Sequence, residues 1–316
     1  MEGSRGAWKR SAGGPTAANL YGSTRVRPRL LHPVIAWLVV VAVFVIGYGA
    51  PTWGSLSTVL GLGVEPSTGV PSESDRTAWI AVLLLLQVAG LILGVAAVFV
   101  VRIKHREVYG SPLPLRAIAG RPPRLTVVLI PVIMAIIATA FAIGMSLAEA
   151  GVMGDYTPCS SRLDGSLGLG IRYAVYSVVA GPMEEISVLL VPVVLLRASG
   201  HRWLMVYLAC IVMRLAFHVD YGLPIAAGLA IWAAMMVVLY RATQQILALL
   251  VAHGLYNGFG DLEGLLYTYL GGDAGEALGA AATAVRWGLV GTGIVIAIVF
   301  TTRRLVRGQI GEGARQ

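Results

Sequence analysis

Eight apolar runs divide this chain, at about 33–50, 78–101, 125–148, 171–196, 203–219, 223–240, 243–259 and 283–302. About 20 apolar residues in helical form cross a hydrocarbon core roughly 30 Å thick. Lipid offers no water to backbone N–H and C=O groups, so only helices and closed barrels can span it. The runs are too long and too uniformly apolar for the alternation of a membrane barrel. The sequence therefore predicts an all-α fold, a polytopic membrane helix bundle of about eight transmembrane helices. The fifth to seventh runs are short or interrupted by polar residues. Composition agrees, because 57% of the 316 residues are hydrophobic and only 13% are charged. Soluble domains carry roughly a quarter charged residues.

Charge sets the orientation. The net charge is +8, yet the cations cluster between apolar runs, which points to a lipid bilayer as partner and not to nucleic acid. With the N-terminus inside, one side collects the leader cations from Arg5 to Arg29, then Arg102, Lys104, Arg106, Arg116, Arg121 and Arg124. The same side takes Arg197, Arg202, Arg241, Arg303, Arg304, Arg307 and Arg315. The opposite loops hold Glu65, Glu73, Asp75, Glu149, Asp155, Asp164, Asp261, Glu263, Asp273 and Glu276. Loops rich in Lys and Arg stay cytoplasmic, so both termini are expected inside.

Residues 1–30 are rich in Gly, Ser, Arg and Pro and read as a disordered basic cytoplasmic leader, unable to bury enough surface to offset ordering entropy. Residues 31–309 form the expected transmembrane domain and 310–316 a cytoplasmic tail. No small-residue cleavage signal follows the first run, which reads as a retained helix. Only Lys9 and Lys104 are Lys among 24 cations; this Arg bias, with abundant Ala, Gly and Val, suggests a GC-rich bacterial genome and a multi-pass protein of the cell membrane. Cys159 and Cys210 suggest neither a disulfide nor a thiolate metal site.

Among the polar side chains inside the apolar runs, five stand out as chemically able: Glu184, Glu185, His218, His253 and Asn257. A charge at the centre of a spanning helix costs about 2.5 kcal/mol or more and is rarely kept without a function. Pro182 precedes the glutamates and disturbs the turn before it, while proline suits the start of a helical segment. The fourth run is therefore expected to kink or restart there, with both glutamates in a first turn whose positive end favours a carboxylate. Burial opposes that charge, and a carboxylate held between the two influences suits a general base. Successive helical residues point about 100° apart, so one carboxylate can face a cavity and its neighbour a supporting partner.

Arg214 and His218 are four residues apart and are expected to share a helix face. His253 and Asn257 have the same spacing and would set two donors side by side, as an anionic tetrahedral intermediate requires. Tyr173, Tyr176 and Ser177 read as packing residues near this site. His32, His105 and His201 read as solvated residues among cytoplasmic charges.

The double glutamate, then Phe217-His218 with Tyr221-Gly222, then His253-x-x-x-Asn257 resembles the CPBP family of CAAX proteases and bacteriocin-processing proteins. The resemblance covers about residues 170–260. It implies an intramembrane glutamic endopeptidase, independent of metal or cofactor, acting on a membrane-associated polypeptide. Glu184 with His218 would activate water, Glu185 would be a supporting carboxylate, and His253 and Asn257 would stabilise the oxyanion. The family pattern Glu-Glu-x-x-x-Arg has Leu189 at the Arg position here. Arg214 is the candidate replacement cation for Glu185.

Other readings stay open at this level. Glu and His residues could form a zinc-dependent protease site, although no His-Glu-x-x-His run is present. They could also form a proton relay in a transporter, although no inverted repeat is visible. A family member that has lost hydrolysis and serves as a scaffold or immunity protein is a further alternative.

Overall fold

The computed structural model describes residues 29–62, 72–109, 123–151 and 165–313. Most of the expected leader, the loop holding Cys159 and the end of the tail lie outside these residues. Helices α1 (Pro33–Val59), α2 (Glu73–Tyr109) and α3 (Pro123–Glu149) come first. Then α4 (Leu167–Glu184) runs through a π-helical turn, Glu185–Leu190, into α5 (Val191–Ala198). Helix α6 (Trp203–Ala216), a 3-10 turn (Val219–Tyr221), α7 (Leu223–Thr243) and α8 (Ile246–Leu265) follow. A second π turn (Leu266–Leu270) leads into α9 (Gly272–Gly313).

Each expected span falls on a helix, and among the described residues the secondary structure is helical throughout. Among the described residues six helices are long and apolar enough to cross a membrane. The fifth and seventh spans are the exceptions. Helix α6 has 14 residues, about 21 Å of rise, and α8 carries His253, Asn257, Asp261 and Glu263.

Several boundaries differ from the sequence expectation, for local reasons. Helix α1 continues through Pro51 to Val59 instead of ending near 50. Proline is tolerated inside membrane helices when neighbouring groups re-satisfy the backbone, and α3 likewise contains Pro131. Helix α2 has 37 residues, outrunning the hydrocarbon core. Helix α8 starts at 246 and not 243, because Gln244 adopts φ +58° and ends α7.

Lipid supplies little hydrophobic drive between helices, so close contact depends on small residues. Gly228 of α7 lies against the carbonyl oxygen of Ala140 in α3, and Gly293 of α9 lies against that of Pro131. The centre of the bundle is the segment after the first π turn: Val191, Pro192, Val193, Val194, Leu195, Leu196 and Ala198 are all buried. Helix α5 packs there on α1, α2 and α6. The Leu167–Ala198 span is 67% buried in its most apolar window, whereas that of α9 is 11% buried. The glutamate-bearing segment is thus the hub, and α9 is peripheral.

Candidate active site

The fourth span places its two glutamates differently from the sequence expectation. Helix α4 passes through Pro182 without a restart, and the Glu185 N–H donates to the carbonyls of Gly181 and Pro182. The irregularity follows the glutamates instead of preceding them: the Val191 N–H reaches back five residues to Ile186 O. A first-turn helix terminus therefore does not supply positive charge to Glu184 or Glu185. A π turn inserts one extra residue into the helical register and is common at functional sites. Here it sets the register between the buried glutamates and the apolar hub of α5.

The positive charge comes from Arg214 in the last turn of α6. Its Nη2 donates to Glu185 Oε1 at 2.8 Å, and its Nη1 lies 2.8 Å from Glu184 Oε1 as a close ion contact. Leu189, where the resemblance leads one to expect an arginine, is buried in the apolar core. A cation from the neighbouring helix thus stands between the carboxylates. Arg214 is 1% exposed, and its guanidinium carbon lies 4.2 Å from the centre of the Trp232 ring on α7. An arginine stacked on an aromatic face is stabilised further when desolvated.

Each carboxylate of this pair has a histidine near it. His253 Nδ1 is 2.9 Å from Glu185 Oε1, and the His253 ring meets the Trp232 edge at 4.7 Å between centroids. His218 Nε2 is 3.8 Å from Glu184 Oε1, too far for a direct hydrogen bond. His218 does not share a helix face with Arg214, because α6 ends at Ala216 and His218 takes φ −130° in the following turn. That turn is closed by Gly222 at φ +94°, a conformation that glycine adopts without steric cost. Phe217 and Tyr221 flank the His218 ring, at 4.4 and 5.2 Å between centroids.

Asn257 lies inside α8, not at its end, and its Nδ2 donates to Ser177 O on α4 at 3.2 Å. One amide hydrogen remains for another acceptor. The crossing of α4 and α8 is close because Gly181 has no side chain: a Cβ there would lie 3.0 Å from His253 Cδ2 and 3.1 Å from Asn257 Nδ2. All five candidate polar residues and Arg214 therefore meet where α4, α6, α7 and α8 converge.

Among the described residues no group of three or more His, Cys, Asp and Glu side chains has an arrangement able to hold a metal ion. Asp220, beside His218, accepts instead from Ser55 Oγ of α1 at 2.9 Å. One further placement differs from the sequence expectation: His105 is buried. Tyr176 packs near the site and accepts a hydrogen bond from Gln87 Nε2 at 3.1 Å. Sequence reasoning misses Trp232, whose contacts to Arg214 and His253 join three separate helices. An aromatic in an apolar run carries no sign of a partner in a neighbouring span.

Residues 166–259 match a protein-family model described as Type II CAAX prenyl endopeptidase Rce1-like. This stretch is what resembles the Rce1-like family. It runs from the start of α4 into α8 and contains Glu184, Glu185, Arg214, His218, His253 and Asn257. Helices α1, α2, α3 and α9 lie outside it. No curated protein and no solved structure matches the chain. The Rce1-like family is a protease family, and with the apolar helices this likeness supports a multi-pass membrane protein whose matched stretch is endopeptidase-like.

Proposed function

We propose that the chain is an intramembrane endopeptidase that hydrolyses a peptide bond of a membrane-associated polypeptide, with Glu184 and His218 activating water. The observation that carries this reading is the pair of buried carboxylates bridged by Arg214, with a histidine against each. Such a cluster is costly in hydrocarbon, and an apolar core of similar volume would be no less stable.

His253 is the proposed oxyanion donor. A carboxylate can only accept, so the 2.9 Å contact makes His253 Nδ1 a donor to Glu185. The proposed role requires the Nε2 edge of the ring to present a hydrogen as well. Asn257 contributes its second Nδ2 hydrogen, and the two together suit the oxyanion of a tetrahedral intermediate. Glu185 positions His253 and Arg214 and does not meet the substrate.

The 3.8 Å between His218 and Glu184 suits two groups that share a water molecule. In the proposed reaction Glu184 takes one proton from that water as its oxygen bonds to the scissile carbonyl carbon. Collapse of the intermediate breaks the C–N bond, and the same proton passes to the leaving amine.

The test is hydrolysis of a quenched fluorescent apolar peptide by the purified chain in lipid nanodiscs. Glu184→Ala and His218→Ala are each expected to lower kcat by about 10²- to 10⁴-fold, the usual contribution of positioned acid–base groups. Chelation should leave the rate unchanged. Retained cleavage by either variant overturns the assignment, and loss of activity on chelation with recovery on adding zinc favours the metal-dependent alternative.

A further inference from the structure

Helices α1 and α2 touch backbone to backbone: a Cβ on Gly90 would lie 3.0 Å from Val43 O and 3.1 Å from Gly47 Cα. This crossing sets Tyr48 of α1 and Gln87 of α2 against the catalytic helices. The Tyr48 ring is 4.8 Å from Phe217, the neighbour of His218. Its hydroxyl lies within electrostatic range of Glu184, Tyr176, Arg214 and Glu185. Gln87 Nε2 donates to Tyr176 on α4 at 3.1 Å.

Both side chains are 2% exposed, and both hold a buried polar atom with no hydrogen-bond partner, the Tyr48 hydroxyl and Gln87 Oε1. An unpaired buried polar atom is destabilising, and within a bilayer the penalty is larger because water is not at hand. Phenylalanine would fill the same space as Tyr48, and methionine nearly that of Gln87. The two atoms are chemically complementary to a peptide unit: a hydroxyl can donate to a carbonyl, and an amide oxygen can accept from an N–H. Neither residue lies within the matched stretch 166–259.

We propose that Tyr48 and Gln87 form a subsite that holds the main chain of the substrate peptide beside Glu184. Tyr48 Oη donates to a substrate carbonyl, and Gln87 Oε1 accepts from a substrate N–H. The subsite reads backbone and not side chains, so it sets the substrate class as an extended polypeptide segment of broad sequence. The inference rests on the hydrolase reading for its purpose, but binding can be measured apart from cleavage.

The experiment uses the full chain in nanodiscs, carrying Glu184→Gln, and a fluorescent capped decapeptide of leucine and alanine titrated by anisotropy. Tyr48→Phe and Gln87→Met are each expected to raise Kd about five- to tenfold, the value of one hydrogen bond. A depsipeptide version, in which esters replace the amides and remove the N–H donors, should stay sensitive to Tyr48→Phe and lose its sensitivity to Gln87→Met. Thermal midpoints should be unchanged or higher in Tyr48→Phe, since the hydroxyl has no bond within the protein to lose. Unchanged Kd in both variants, or a lowered midpoint in Tyr48→Phe, overturns the subsite. If the native chain cleaves peptide and the two variants bind as well as it does, the subsite alone fails. If binding responds as expected and the native chain cleaves nothing, the hydrolase reading alone fails.

Discussion

Arg214 has the largest energetic consequence of any single side chain in the site. It is the cation shared by two buried carboxylates, and its removal leaves both without a guanidinium. Breaking a buried ion pair by deleting one partner costs about 3–5 kcal/mol. Arg214→Leu is therefore expected to lower the thermal midpoint sharply in nanodiscs and to abolish hydrolysis; a variant with full stability and activity removes Arg214 from the account. Trp232→Leu should weaken the same cluster by about 2 kcal/mol, the upper range of a desolvated cation–π contact, and circular-dichroism melting measures it. The need for Arg214 is legible in the sequence, because Leu189 leaves Glu185 without its expected cation and Arg214 lies in an adjacent span. Trp232, Tyr48 and Gln87 are not legible. Their importance comes from contacts across helices, which leave no spacing in the chain.

At the scale of elements, the crossing of α4 and α8 controls the site. Gly181 lets His253 and Asn257 approach α4, and an added methyl would press on both at about 3 Å. Gly181→Ala is expected to lower kcat about tenfold or more with KM little changed, since an ångström of misplacement can cost about 10²-fold. Steady-state kinetics beside a melting curve separates this from unfolding, and an unchanged kcat would show that the crossing is not critical. The eight helical segments are legible because hydrocarbon thickness sets their length. Their local faults are less so. Pro182 suggests a break before the glutamates, whereas the helix absorbs the proline and places a π turn after them. His218 reads as one turn beyond Arg214 on a helix, whereas the chain must already turn there to reach α7 through Gly222.

For the whole molecule, the cations and the hub give a consistent picture. The span that carries the glutamates is the most enclosed, so reacting groups are shielded from lipid, while α9 covers one flank with little burial of its own. The cation distribution predicts the sidedness. With Cys159 and Cys210 replaced, a cysteine introduced at Arg241 should be labelled only from the cytoplasmic face, and one at Asp273 only from the other. Labelling of both from one side would break the eight-span topology, and exchanged labelling would reverse it.

The central claim is that the cluster around Glu184 cuts polypeptides within the membrane. The most direct measurement compares peptide termini, by mass spectrometry, in membranes of cells making the native chain and cells making Glu184→Gln at equal abundance. The account predicts new termini, located in or beside apolar segments of membrane proteins, that are present with the native chain and lost with Glu184→Gln. Identical termini in the two membranes would contradict it.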